Sequence, residues 1–314
     1  AMLAEANRAP SVQVSHNQNL KQNQHSKMIE MSNKGTCDDV SNTPTTTAQS
    51  TDAVIDNTLT GNEVVMITGS GSGIGKGTAL AFAALNNQLV LIDKNADKLE
   101  ETCLECEQKS PNKIKPLKLI DDVSLPDTAQ NAIKTTIDTF GRLDVLINNA
   151  GITALTCFDD PQVLDVYHRV IATNMHATVY LSVAAYPHLK RTGGSIVNVS
   201  SMLDDKPARS KFAYCMSKAA ITMLTKCLAH DYAPHVRVNC VSPGPIASSI
   251  LDDMGINLEA RRANGVKNTL VRRIGEPEDV AKMIIYLASK NKSSFITGSR
   301  VLVDGGYTLI PLEK

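Results

Sequence analysis

The chain has 314 residues, 42% of them hydrophobic and 20% charged, and its 32 basic and 32 acidic side chains cancel. That composition suits an ordinary globular protein with chain enough for a sizeable core. A zero net charge gives no general attraction for nucleic acid or an anionic membrane, and no apolar run approaches the ~18 residues that cross a bilayer, so neither is expected as a partner.

Composition changes near residue 60. Residues 1–58 are rich in Asn, Gln, Ser and Thr and contain no Phe, Tyr or Trp. Such a segment buries too little apolar surface to offset its conformational entropy, so a disordered polar extension is expected over 1–60 and a folded domain over 61–314. The extension lacks the apolar core of a secretory signal. Arg8 is its one arginine, and Glu5, Glu30, Asp38, Asp39, Asp52 and Asp56 make it a poor transit peptide. A cytoplasmic protein is expected. The first residue is Ala1, so the sequence reads as processed or partial, with Met28 or Met31 as an alternative start.

From Asn62 onward, short β-branched runs fall at Glu63–Thr68, Gln88–Asp93, Pro116–Asp121, Leu143–Asn148, Ser195–Ser200 and Val236–Val241. Amphipathic stretches lie between them. Leu80, Phe82, Ala83 and Leu85 follow the first run, and Val280, Met283, Ile284 and Leu287 form a late helical stripe. This alternation predicts an α/β protein with a doubly wound, Rossmann-type parallel sheet covered on both faces. Such sheets bind ligands beyond the carboxyl ends of their strands.

The first run leads directly into Thr68-Gly69-Ser70-Gly71-Ser72-Gly73-Ile74-Gly75, and a helical pattern begins at once. Glycines allow a tight turn and let backbone amides approach a pyrophosphate, while the helix N-terminus faces its charge. The strand before the loop and the helix after it set this apart from a merely flexible turn. The second strand ends at Asp93, twenty positions after Gly73. A carboxylate there accepts hydrogen bonds from ribose hydroxyls and repels a 2′-phosphate. The loop has no Arg or Lys, although Lys94 follows Asp93. NAD is therefore the expected cofactor, with NADP as the alternative.

Cys103 and Cys106 form one C-x-x-C in a charged helical stretch, without a second pair, and read as helix residues instead of a metal site. Cys157, Cys215, Cys227 and Cys240 lie in apolar or helical patterns and are expected as buried, reduced thiols.

Ser201 closes the fifth strand, Tyr214 follows thirteen positions later, and Lys218 four after that. Tyr214 and Lys218 share one helix face at i, i+4 spacing. A phenol is a poor acid–base group at neutral pH. A neighbouring ammonium stabilises the phenolate, so that tyrosine can exchange a proton with an alcohol or carbonyl oxygen. A serine hydroxyl beside it can hold the same oxygen.

With these motifs in order, residues 62–308 resemble a classical short-chain dehydrogenase/reductase. Thr68 to Gly75 match its T-G-x-x-x-G-I-G, and Asp122-Val123 match the pair that contacts adenine. Asn148-Asn149-Ala150-Gly151 match N-N-A-G, which steadies the sheet near the ribose. Asn174, Ser201, Tyr214 and Lys218 match the four catalytic positions. Pro243-Gly244 match the P-G turn, Ile246 and Ser248 match positions that touch the nicotinamide amide, and Val303-Asp304-Gly305-Gly306 resemble the closing strand. The cofactor set implied by loop and resemblance together is Gly69, Ser72, Gly73, Ile74, Gly75, Asp93, Asp122, Val123, Asn149, Ala150, Gly151, Tyr214, Lys218, Pro243, Gly244, Ile246 and Ser248. The resemblance implies that Tyr214 is the acid–base, that Lys218 binds ribose hydroxyls and lowers the tyrosine pKa, that Ser201 orients the substrate oxygen, and that Asn174 holds a relay water. It also implies a homo-oligomer, a dimer or a tetramer.

Two regions depart from the pattern or vary within it. Residues 202–213 are charged and lack the glycine that many members carry. Charges facing the cleft would favour a polar substrate; charges facing solvent would carry no meaning. Residues 249–273 mix Ile250, Leu251, Met254, Ile256 and Leu258 with charged residues, which suggests an amphipathic helix over the site. The expected activity is hydride transfer between NAD(H) and a small secondary alcohol or ketone. The alternatives are an NADP-dependent carbonyl or 3-oxoacyl reductase, and a catalytically silent dinucleotide-binding regulator. The full set Asn174, Ser201, Tyr214 and Lys218 argues against the last.

Overall fold

The computed structural model describes residues 61–310 apart from 249 and 251–256. The extension expected over 1–60 lies outside the described residues.

Seven strands form one parallel sheet among those residues: β1 (Val64–Thr68), β2 (Gln88–Asp93), β3 (Leu117–Ile120), β4 (Val145–Asn148), β5 (Ser195–Val199), β6 (Arg237–Pro243) and β7 (Arg300–Val303), in the order β3-β2-β1-β4-β5-β6-β7. Each strand read from the sequence is present, with ends shifted by at most two residues. The helices are α1 (Gly73–Ala84), α2 (Ala96–Lys109), α3 (Pro126–Phe140), α4 (Val163–Ile171), α5 (Ala177–Thr192), α6 (Phe212–Tyr232), α7 (Leu258–Asn268), α8 (Pro277–Ala288) and the short α9 (Lys290–Ser293). A five-residue π turn, Ala172–His176, joins α4 to α5.

Parallel neighbours require helical crossovers, and these cover both faces of the sheet. Because side chains alternate along a strand, each strand feeds two cores. Val65, Ile67, Leu89 and Leu91 pack with Phe82 of α1, Leu99 of α2 and Val280 and Ile284 of α8. Val64, Met66, Val90 and Ile92 pack on the other side with Ile133 of α3, Leu181 and Leu189 of α5 and Leu228 of α6. Hence the central strands read as continuous apolar runs.

Asp144 explains why β4 begins later than its apolar run. Its carboxylate accepts the Val64 amide at 2.9 Å and is gripped by Arg142 through two hydrogen bonds of 2.9 and 2.6 Å. Its own amide and carbonyl bond to Val64 and Ser195. One residue thus aligns the starts of β1, β4 and β5. At the far ends the chain reverses direction between β1 and β4, one crossover running left to β2 and the other right to β5, which opens a crevice there.

Phe82 has no exposed surface, whereas Ala84 on the same helix is exposed. Phe82→Ala should lower the unfolding free energy by about 3–5 kcal/mol, and Ala84→Ser should change it by less than ~0.5 kcal/mol. Urea unfolding followed by circular dichroism checks this; similar losses in both would remove α1 from the core.

Candidate active site

The crevice is built from the loops after β1 and β4. Thr68 Oγ1 accepts the amides of Asn149 and Ala150, each at 3.0 Å, and the Asn149 carboxamide donates to the carbonyls of Thr68 and Gly69 at 2.8 and 3.1 Å. The two loops are thereby clamped together at their roots. Gly69 has φ +65, and a Cβ on it would lie 2.8 Å from the Ala150 Cα. A Cβ on Gly75 would lie 2.0 Å from the Gly69 carbonyl oxygen. Glycine is required at both places by contact with backbone, and at Gly69 also by the left-handed conformation. Gly73 opens α1 with φ +53, and a Cβ there would meet Ser248 at 2.9 Å. Ser72 is the extended residue before that helix, with Ile74 following Gly73 in its first turn. The segment after β6 therefore lies over the glycine loop. Gly244 donates to Val303 of β7, and Ile246, 6% exposed, bridges to Gly275.

Asp93 ends β2 beside this loop. One carboxylate oxygen accepts the Gly71 amide at 2.8 Å, and the other accepts the Asn95 amide at 2.9 Å. Asp122 follows β3. Burial alone would raise its carboxyl, but hydrogen bonds from the Ser124 amide and hydroxyl hold it below the ordinary value. Val123 beside it is buried.

The three polar groups at the other side of the crevice converge. Ser201 stands two residues past β5, and Tyr214 and Lys218 sit one turn apart on α6. Burial pushes the Tyr214 phenol above its ordinary value, while the Ser201 side chain beside it pulls the other way. Lys218 is 3% exposed, and burial brings its ammonium down to about 8. Its Nζ donates to the Val199 carbonyl at 2.8 Å and lies 5.7 Å from the centre of the Tyr214 ring. It also lies 3.3 Å from where a Gly151 Cβ would stand, so glycine keeps the loop open to the ammonium.

Asn174 is fully buried in the π turn. Its carboxamide accepts the Ile152 amide at 2.8 Å and donates to the Ile152 carbonyl at 3.0 Å and to Ser217 Oγ at 2.9 Å. The side chain thus pins the loop that carries Ala150 and Gly151 to α6. Ser217, fully buried between the two predicted residues of α6, was not singled out from the sequence; its place beside Lys218 was the available signal.

In the charged segment 202–213, Asp205 and Arg209 face solvent, as one reading drawn from the sequence has it, whereas Asp204 follows neither reading. Asp204 points to neither cleft nor solvent. Its side chain is 1% exposed and meets Arg300 of β7 in a bidentate ion pair. In front of the segment, Phe212 stacks on Phe158 with ring centres 4.5 Å apart and lies 6.3 Å from Tyr167 of α4.

Of the stretch expected as an amphipathic helix, 258–268 is helical as α7, capped by the Asn257 side chain on the Ala260 amide. Leu258 and Ile250 are exposed; Leu251, Met254 and Ile256 lie outside the described residues. The cysteine reading needs a correction. Cys240 is buried and Cys215 partly so, but Cys227 is exposed on the solvent side of α6 and Cys157 is exposed in a loop whose Leu155, Phe158 and Asp159 are exposed as well. Cys103 and Cys106 are buried on the sheet-facing side of α2, and burial pushes their thiols up to about 11 and about 12.

A family model described as enoyl-(acyl carrier protein) reductase matches residues 69–308. A structure of a short-chain dehydrogenase/reductase of unknown function from Caenorhabditis elegans, solved with cofactor, superposes with a TM-score of 0.74 at 32% identity, covering 80% of this chain and 96% of that one. The chain belongs to the short-chain dehydrogenase/reductase family. Among relatives in that family, L-fucose dehydrogenase of Bos taurus is 32% identical over 251 residues, covering 79% of this chain and 90% of the relative. Glucose 1-dehydrogenase 2 of Bacillus subtilis is 32% identical over 259 residues, covering 81% and 98%. Members of this family are oxidoreductases that use a nicotinamide dinucleotide. No helix among the described residues is long and apolar enough to cross a membrane.

Buried Lys218 gives this family member a titration that unfolding can read. Its folded value, about 8, lies below the ordinary 10.5. Between those values the unfolded chain binds more protons, so stability contributed through this lysine rises with pH. Relative to Lys218→Met, which does not titrate, the wild type should gain about 3 kcal/mol between pH 8 and 10.5, at ~1.4 kcal/mol per pH unit. Urea unfolding of both proteins at several pH values measures the difference; a gap that does not change with pH would show the ammonium to be as well solvated as in water.

Proposed function

We propose that this protein interconverts a small secondary alcohol and the corresponding ketone with NAD(H), Tyr214 serving as the acid–base group. The observation that carries the reading is the placement of Ser201 beside Tyr214 with buried Lys218 behind them, next to a glycine cradle clamped to the same crevice.

The residues present fit a nicotinamide dinucleotide. A Cβ on Gly69, Gly73 or Gly75 would fill the cradle or strike its walls, so the space is specific to glycine. Gly69, Ser72, Gly73, Ile74 and Gly75 would hold the pyrophosphate at the start of α1, Asp122 and Val123 the adenine, Asn149, Ala150, Gly151 and Lys218 the nicotinamide ribose, and Pro243, Gly244, Ile246 and Ser248 the amide. When bound, the dinucleotide supplies the hydride donor or acceptor. Asp93 keeps lone pairs beyond those given to Gly71 and Asn95 and offers them to ribose hydroxyls, while its charge opposes a 2′-phosphate.

Tyr214 moves a proton between its phenol oxygen and the substrate oxygen. Ser201 holds that oxygen and stabilises the charge that develops on it. The Lys218 ammonium favours the phenolate through its field, across the 5.7 Å to the ring, and reaches toward the ribose at Gly151. Asn174 anchors Ile152 beside this lysine, and the relay to solvent implied by the family would pass along its main chain. The two named relatives act on L-fucose and on glucose, both hydroxylated rings, which supports a CH–OH substrate. A homo-oligomer, dimer or tetramer, is supported by exposed Val183 on α5 and Met216 and Met223 on α6.

Tyr214→Phe should abolish turnover in a screen of alcohols and ketones read at the reduced-cofactor absorbance, a loss of at least ~10²-fold, with dinucleotide affinity nearly intact; retained turnover would remove the tyrosine from the chemistry. Fluorescence titration should show NADH binding clearly tighter than NADPH, by ~10-fold or more, as expected for a phosphate brought against a carboxylate. Equal affinity would sink the cofactor assignment.

A further inference from the structure

Behind the catalytic pair lies a polar cluster that the proposed chemistry does not use. The Asp204 carboxylate receives Thr222 Oγ1 at 2.6 Å, Ser242 Oγ at 2.8 Å, Ser200 Oγ at 3.2 Å and Arg300 Nε at 2.7 Å, with a second bond from the same guanidinium. These donors come from the end of β5, from α6, from β6 and from β7. Asp204 is also the last residue of a short 3-10 turn, Met202–Asp204, whose last two amides fold back on Ser201: Leu203 donates to Ser201 Oγ at 3.1 Å and Asp204 to the Ser201 carbonyl at 3.1 Å. The cluster reaches Lys218 as well, since Ser200 Oγ lies 2.8 Å from its backbone carbonyl.

An ion pair with a buried carboxylate is an expensive way to fill space, because that carboxylate loses its hydration while Arg300 stays partly exposed. What the pair adds is direction. A forked guanidinium fixes a carboxylate in position and orientation, and here that carboxylate ends the turn which begins at Ser201. We propose that Asp204, locked by Arg300, is a positioning residue that holds Ser201 against Tyr214 and sets the balance of charge behind the phenol. The pair spans 96 residues of sequence and couples the last strand of the sheet to the acting hydroxyls. The proposal rests on the reading of Ser201 and Tyr214 as the acting pair.

The titratable groups that act on Tyr214 are Cys215 on α6 and Asp204 on the turn, with Lys218 5.7 Å from the ring centre; Cys240 and Asp204 act on Lys218, and Asp204, Asp205 and Cys240 act on Arg300. Removing one member of the pair leaves the other uncompensated, so the two single variants push the phenol in opposite directions. Ionisation of Tyr214 is read in the full-length protein without substrate, as the phenolate absorbance difference between each protein and its own Tyr214→Phe counterpart. Asp204→Asn should lower the midpoint by about 1 pH unit, Arg300→Met should raise it, and the double variant should return it toward the wild type. Arg300→Lys, which keeps the charge and loses the fork, should leave the midpoint within about 0.3 pH unit, and Arg300→Gln, which removes the charge and keeps polar groups, substitutes for Arg300→Met if that variant does not fold. With turnover established, Asp204→Asn should lower kcat about tenfold through misplacement of Ser201 and leave the dinucleotide KM within about twofold. An unmoved midpoint in Asp204→Asn, or shifts of the same sign in both single variants, would reduce the pair to mere structural support and overturn the proposal. Because the titration needs no substrate, its failure is distinct from a failure of the proposed activity, which would appear as a wild-type protein inert toward every alcohol and ketone.

Discussion

The clamp between Thr68 and Asn149 is the constraint from which the crevice follows. A parallel sheet that winds in both directions must part its loops where the direction changes, and here that is between β1 and β4. Left alone, two diverging loops would each need their own stabilisation. Instead, a threonine hydroxyl takes two amides from one loop, and the asparagine carboxamide returns two hydrogen bonds to the carbonyls of the other. Such reciprocal bonding satisfies buried backbone groups that have no strand partner. It also leaves Gly69 so close to Ala150 that no side chain fits between them. The glycine cradle and the residues around Gly151 therefore move as one piece.

On that fixed edge the remaining polar residues act as braces in series. Asn174 holds Ile152, Ser217 holds Asn174, and α6 carries Ser217 between Tyr214 and Lys218. The wide turn at Ala172–His176 sets the Asn174 side chain into this line. Burial, not direct pairing, dominates the titration of both the phenol and the ammonium. Behind the phenol, a few buried dipoles and charges act more strongly than they would at the surface.

The fold was legible because its signal is local. Strands buried on both faces read as apolar runs, and their alternation with helical stripes gives the sheet without any knowledge of contacts. The glycine loop, Asp93 and the Ser201, Tyr214 and Lys218 spacing were legible for the same reason, each being a short pattern at the carboxyl end of a strand. The Asp204–Arg300 pair was not, since its partners are 96 positions apart and each alone resembles an ordinary surface charge. Exposure of Cys157 and Cys227 was hidden because an apolar neighbourhood in sequence does not say which way a single residue faces. Residues 249–273 offered apolar and charged side chains in similar measure, and only the helix from Leu258 onward can be compared with that reading.

Asp93 holds a further consequence for how such a protein changes over generations. Its carboxylate is the proposed discriminator between dinucleotides, yet both of its oxygens already hold backbone amides, those of Gly71 and Asn95. A mutation that removes the negative charge to admit a phosphate also removes an acceptor that shapes the phosphate-binding loop. The two effects cannot be inherited separately. Drift from one cofactor to the other is thus epistatic in this chain: it needs a compensating substitution that restores an acceptor to the loop, and single-step intermediates are handicapped before any new preference is gained.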